Sequence, residues 1–170
     1  MSITFQRIQR FLESTKLTFE VMGCDPTLSD TAIFCKEYRI DLNDSVNTII
    51  IKTKTRESKY VACALLASTR LDMNKTIKKK LETRKVSFAD ALETTKLTGM
   101  EIGGVTPIEL PASLPLWIDS KIMTRSIIVL GGGNRSSKIK ISPKIFNFTE
   151  NTEIVDGLAN KNINSIDPQN

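Results

Sequence analysis

Two short stretches combine residue types that can bind an oxygen-rich ligand through the main chain. The first, TGMEIGGVTPIELP (Thr98 to Pro111), sets three glycines and two prolines among apolar residues, with Glu101 and Glu109 near its ends. Glycine lets another molecule approach the backbone closely and allows positive φ, and proline then fixes the following turn. In GGVTP, the N–H groups of Gly103 and Gly104 are therefore candidates to polarise an ester carbonyl or to hold a phosphate oxygen. Thr106 is a candidate to hydrogen-bond a substrate amine or water, and equally to brace its own turn. A plain tight connection between a helix and a strand satisfies the same pattern. The second stretch, LGGGNRSS (Leu130 to Ser137), places Gly131, Gly132 and Gly133 directly after the apolar run SIIVL. A dinucleotide fingerprint needs a helix next, whereas KIKIS reads as a strand. A Walker-type loop needs Gly-Lys-Ser/Thr, which is absent. A hairpin with a backbone-lined rim fits the stretch.

Composition narrows the chemistry further. The chain contains no histidine, which removes Ser-His and Cys-His nucleophiles and histidine-ligated metals. Cys24, Cys35 and Cys63 form no CxxC pair and suggest neither a disulfide framework nor a zinc site. No cofactor and no metal are expected, so catalysis would rest on Lys, Asp, Glu, Tyr, Thr, backbone dipoles or the substrate itself. The net charge of +5 is concentrated in three places: Asn74–Lys85, the group Lys52, Lys54, Arg56 and Lys59, and the group Arg135, Lys138, Lys140 and Lys144. Each alone reads as a solvated face; together they raise a polyanion such as RNA as a partner. No apolar run approaches the roughly 18–20 residues of a membrane span. The charged N-terminal helix pattern lacks a signal-peptide core, so a cytoplasmic location is expected.

The elements that would position these groups follow from periodicity. Residues 3–13 read as an amphipathic helix, and LTFEVMG as a strand. Asp30 is placed to cap a helix reaching about Tyr38. VNTIIIKTK and KYVACALLA read as two strands joined by the polar loop TRES, hence a hairpin. Asp72 caps a basic helix carrying Ile77 and Leu81, and SFAD (Ser87 to Asp90) matches a capping box for a helix ending at Gly99. Strands are expected at LPLWID, SIIVL and KIKIS, a closing turn near SPKIF, and a last strand at TEIVDG. This mixture predicts one α/β domain of the α+β kind over residues 1–159: a curved mixed sheet, partly barrel-like, wrapped by helices, followed by a polar tail at 160–170.

The ordered set NTIII, LASTRLD, TGMEIGGVTPIELP, LPLWIDSKI and IIVLGGGNRSSKIKISP resembles the YbaK/ProX family of aminoacyl-tRNA deacylases, relatives of the editing domain of bacterial prolyl-tRNA synthetases. The resemblance runs from about Leu17 to Val155. It implies that family's fold, a pocket for the aminoacylated end of tRNA, and hydrolysis of the ester joining a wrong amino acid to the terminal ribose. It puts the family's G-x-x-x-P loop on Gly103 and Pro107, the LPxxID aspartate on Asp119, and the glycine-rich rim on Gly131, Gly132 and Gly133. Asp119 is then a candidate to hold the substrate amine, or else a strand-end carboxylate capping local N–H groups.

One departure stands out. The family usually has a lysine, followed by Thr or Ser, at the start of the first hairpin strand. In ungapped register that position is Asn47, followed by Thr48. Lys52 is five residues on, an odd shift that turns it to the other face of a strand and carries it roughly 16 Å away. Asn47 hydrogen-bonds but brings no charge, so Arg135 on the rim is the candidate replacement cation. Leu130 also departs from the small or hydroxyl residue usual before the glycines. Two functions remain open: a trans-editing deacylase acting on mischarged aminoacyl-tRNA, with a synthetase as possible partner, or a non-catalytic module that binds a tRNA acceptor end or a nucleotide.

Overall fold

Ile8 and Leu12 recur one helical turn apart in ITFQRIQRFLES, and both are buried where α1 (Ile3–Ser14) meets the sheets. The computed structural model describes residues 3–28 and 30–162. β1 (Phe19–Gly23) follows α1, and α2 (Thr31–Tyr38) begins where the Asp30 carboxylate accepts the Ile33 N–H. β2 (Val46–Thr53) and β3 (Tyr60–Leu66) form the expected antiparallel hairpin, with Asn47 opposite Leu65. β4 (Thr69–Leu71) leads into a π-turn at Met73–Ile77 and the single turn α3 (Lys78–Lys80). β5 (Val86–Phe88) and α4 (Ala91–Thr98) follow. β6 (Leu116–Asp119), β7 (Ile128–Gly131), β8 (Ser137–Ile141), β9 (Thr152–Val155) and β10 (Ala159–Lys161) complete the chain, with short 3-10 turns at Ser120–Thr124 and Pro143–Asn147.

Three sheets result. The largest runs β5-β2-β3-β6-β9 and is mixed, because β6 pairs in parallel with both β3 and β9. The second runs β1-β8-β7 and is antiparallel throughout. A pair β10-β4 forms the third. A parallel bridge from Ser45 to Val129, with the Val129 N–H donating to Asp44 O at 2.8 Å, brings the edge of the second sheet to the start of β2. The sheets curve around a shared apolar core without closing into a barrel; that core includes Ile8, Val46, Ile50, Leu116, Ile128, Leu130 and Ile139. A second cluster on the far face of β2 and β3 contains Ile51, Cys63, Ile77 and Trp117. The architecture is thus the mixed α/β fold expected from the sequence.

Two local expectations differ. The capping box is formed by Asp90 and Glu93, not by Ser87 and Asp90, and Ser87 lies in β5. Glu93 is fixed there by tertiary partners, since Lys52 Nζ donates to its two oxygens at 2.6 and 2.7 Å and Tyr60 Oη donates at 3.1 Å. The basic stretch forms one π-turn and one α-turn rather than a long helix. The Asp72 carbonyl accepts from Ile77 N–H at 3.1 Å, and β5 must return to pair with Ile51–Thr53. Ala159–Lys161 pairs with β4, and residues 163–170 of the expected polar tail lie outside the described residues. Among the described residues no helix is long and apolar enough to cross a membrane, and no group of three or more His, Cys, Asp or Glu is placed to hold a metal ion.

Candidate active site

The two glycine stretches bind each other before they bind anything else. Glu101 to Gly104 is a turn closed by the Gly104 N–H donating to Glu101 O at 2.9 Å, with Gly103 at φ 88°. Positive φ at the third position is what a type II turn requires, hence glycine there. This turn is laced to the β7–β8 hairpin. Glu101 N–H donates to Gly133 O at 3.3 Å, Gly133 N–H to Gly104 O at 2.7 Å, and Arg135 N–H to Glu101 Oε2 at 3.1 Å. The approach leaves no room for side chains: a Cβ on Gly131 would lie 2.5 Å from the carbonyl oxygens of both Gly104 and Val105. Much of the glycine in both motifs therefore serves backbone-on-backbone packing.

What the wedge leaves open is a pocket of ≈ 270 Å³. Its walls are the start of β2 from Val46 to Ile50, Thr31 of α2, Ala89 and Thr94 around the start of α4, Ile102, Gly103 and Val105 of the turn, and Gly131 with Lys138 of the hairpin. Among the described residues the N–H groups of Gly103 and Val105 donate to no protein acceptor. The Gly104 amide, expected from sequence to share in binding, is committed to the turn, and it is the Val105 amide that is left unpaired beside Gly103. Val105 was not a candidate from the sequence, because turn type decides which amides stay unpaired.

Asn47 and Thr48 both line the pocket. Asn47 Oδ1 accepts the Thr31 hydroxyl at 2.7 Å, while Thr48 Oγ1 is buried with no hydrogen-bond partner. An unpaired buried hydroxyl is costly in a protein.

The remaining candidates lie elsewhere. Thr106 is fully buried, with its N–H 3.4 Å from Met100 Sδ and its Oγ1 accepting from Ile108 N–H at 3.5 Å. Pro107 lines a separate ≈ 310 Å³ cavity with Phe11, Leu116 and Phe148. Asp119 is fully buried; its carboxylate accepts Ala159 N–H at 2.8 Å and Lys121 N–H at 3.1 Å, and pairs with Lys121 Nζ at 3.5 Å. It ties β6 to β10 and caps the 3-10 turn after it, away from the pocket walls. Gly132 donates to Ser137 O at 3.1 Å within the hairpin. Arg135 is exposed in the groove on the other side of the glycine wedge, with Glu101 and Asn134. Lys52 is held by Glu93 rather than directed into the pocket.

The cation that does enter is Lys138. It sits opposite Gly131 in the β7–β8 ladder, so both face the side where the 103–105 turn descends. Lys138 Nζ donates to Gly103 O at 3.2 Å and lies 5.0 Å from the centroid of the Phe34 ring. Burial pushes its ammonium below the ordinary lysine range, partly opposed by the Cys24 and Cys35 thiols. From sequence, Lys138 and Lys140 belonged to one basic group read as a solvated face, and Lys140 is indeed exposed. Lys138 differs because α2 covers that end of the sheet, where Phe34, Cys35 and Val129 form an apolar cluster.

The fold has solved counterparts. A structure described as a hypothetical protein superposes with a TM-score of 0.78 at 23% identity, over 91% of this chain and 99% of that one. A proposed trans-editing enzyme for prolyl tRNA synthetase superposes with a TM-score of 0.75 at 19% identity, over 92% of this chain and 97% of that one. At these identities the likeness establishes the fold. Residues 25–148 carry the sequence pattern of the aminoacyl-tRNA editing domain, and the chain therefore belongs to that family.

Proposed function

We propose that this protein is a trans-editing deacylase, hydrolysing the ester of a mischarged aminoacyl-tRNA. The observation that carries this reading is the pair of unpartnered amides, Gly103 and Val105, on the wall of a pocket sized for a small aminoacyl group. Such donors, fixed in advance by the wedge of the two glycine loops, stabilise negative charge on an ester carbonyl oxygen as it becomes tetrahedral. Gly131, Gly132 and Gly133 act by holding that wedge. Asn47 and Thr48 offer hydrogen bonds to the terminal ribose or the substrate amine.

The chemistry balances without a protein nucleophile. Water, oriented by the ribose hydroxyl next to the ester, adds to the carbonyl carbon; the bond from that carbon to the ribose oxygen breaks, and a proton from the water passes to the ribose oxygen. The products are free amino acid and uncharged tRNA. A synthetase that releases mischarged tRNA is the partner this activity calls for. Pockets separate small side chains by only about 1–3 kcal/mol per methylene, so selection by size would be modest.

A second reading is favoured by Asn47, which stands where the family resemblance expects lysine and is engaged with Thr31. In that reading the pocket binds an acceptor end without cleaving it. Incubation with tRNA charged separately with Ala, Cys, Ser, Thr and Pro decides between them. Accelerated ester loss from any of the five supports the deacylase; saturable tRNA binding with no acceleration supports the binding module.

A further inference from the structure

A lysine is rarely drawn partly out of water without a task, because desolvating an ammonium is costly, and Lys138 is half-buried. Lys138 is also misplaced for a purely architectural role. Among the described residues its one hydrogen bond is to a carbonyl, Gly103 O, although an ammonium has three donors. No carboxylate pairs with it: the ion pairs of the described residues use Arg7, Lys52, Lys80, Lys121 and Arg125. Its neighbours are instead the Phe34 ring face and two thiols, Cys24 just beyond β1 and Cys35 in α2. It lines the same pocket as Gly103 and Val105, whose amides have no protein acceptor among the described residues. Gly131, directly across the ladder, lets the 103–105 turn close to backbone contact with the hairpin, which brings Gly103 O within reach of Lys138 Nζ.

We infer that Lys138 is the cation of this active site: its ammonium, braced on Gly103 O and the Phe34 ring, faces the substrate's ester carbonyl oxygen and stabilises the charge that develops there. The inference rests on the deacylase reading and adds to it the residue that replaces a lysine on β2. Lys138 neither gains nor loses a proton in the step. It strengthens the field at the oxyanion, beside the two amides, and its partial desolvation makes that field stronger than a surface lysine could supply. The charge thus enters from the strand after the glycine hairpin, while Asn47 keeps only its hydrogen-bonding role.

The test is single-turnover deacylation by wild type and by Lys138→Met, which keeps the length and apolar stem without the charge. The expected loss is about 100-fold. Two further readouts separate chemistry from architecture. Wild-type activity above the uncatalysed background should decline at alkaline pH below the ordinary lysine value of 10.5, as Lys138 loses its proton, and Lys138→Met should lack that decline. The variant should also melt no lower than wild type at neutral pH, because an ammonium with a depressed folded pKa is a cost to the folded state there. Rates within threefold of wild type, or a loss of rate with the alkaline decline unchanged, overturn the inference while leaving the deacylase reading intact. A wild type inactive on all five charged tRNAs overturns both. Should Lys138→Met not fold, ¹³C-methylated lysines of wild type, assigned with Lys138→Arg, provide the measurement. The Lys138 signal should move on adding a non-hydrolysable 3′-aminoacylamido-adenosine, and an unmoved signal overturns the inference.

Discussion

Replacing Gly131 by alanine drives a methyl group into the wedge that builds the pocket. The new Cβ would sit 2.5 Å from the carbonyl oxygens of Gly104 and Val105 and 2.8 Å from the Gly104 carbonyl carbon. These are backbone atoms, so no side chain can swing aside, and restoring ordinary contact requires the 103–105 turn to retreat by about 1 Å. Retreat stretches the 2.7 Å bond from Gly133 N–H to Gly104 O. Overpacking of this kind costs about 1–3 kcal/mol. For a domain of this size each kcal/mol lowers the melting temperature by about 2–4 °C, giving a fall of about 2–12 °C. The catalytic effect should be larger than the loss of folded protein. A misplacement of about 1 Å at positioned groups costs on the order of 100-fold in rate, and the Gly103 and Val105 amides move with the turn. Melting followed by circular dichroism, together with single-turnover deacylation well below the transition, measures both. Gly23→Ala is the control, since a Cβ there meets nothing within 4 Å. A Gly131→Ala protein that melts within 1 °C of wild type (roughly 0.3–0.5 kcal/mol) and retains its rate would refute the claim that glycine packing sets the amides.

Other outcomes follow from the same geometry. Asp119→Ala should destabilise by about 2–5 kcal/mol in urea unfolding, because it strands the buried Ala159 N–H and the Lys121 partners. Lys52, followed by the N-cap amide of Asp90, holds the Glu93 carboxyl below its ordinary value of 4.5, so the stability it contributes is present above that pH and lost as pH falls through the folded value. Glu93→Gln should accordingly flatten the acid side of a stability-against-pH curve, and an unchanged curve would contradict the pairing. Asn47→Lys made in the Lys138→Met background should recover at least about tenfold in deacylation, since both positions line one pocket. In the wild-type background the same change sets two ammonium groups in that pocket and should gain far less, a non-additivity that a double-mutant cycle reads directly.

Local signals carried much of the fold. Asp30 and Gly99 mark helix ends by chemistry that depends on a few neighbouring residues, and both were legible. The β2–β3 hairpin and the β7–β8 hairpin were legible from alternation and polar turns. Ser87 misled because S-F-A-D fits a capping box as well as D-A-L-E does, and only Lys52 and Tyr60, arriving from the sheet, decide for Glu93. The glycine motifs were legible as close-approach sites, but their first partner proved to be each other. Which amides remain unpaired depended on turn type, giving Gly103 and Val105 rather than Gly103 and Gly104. Lys138 was the hardest to read. It was grouped with Lys140 as part of a solvated basic face, and nothing local says that α2 covers one and not the other. Its register opposite Gly131 is the signal that could have exposed it: a lysine across from a glycine that a second glycine turn packs against has a backbone carbonyl within reach.

The central claim is that prearranged amides and one half-buried cation hydrolyse an aminoacyl ester without histidine, metal or protein nucleophile. The most direct measurement is the single-turnover rate of amino acid release from each charged tRNA at neutral pH, with the protein in excess and against buffer alone. The account predicts at least about a 100-fold acceleration for one or more of Ala-, Cys-, Ser-, Thr- or Pro-tRNA. Release at the buffer rate for all five, under conditions where the tRNA is bound, would contradict it.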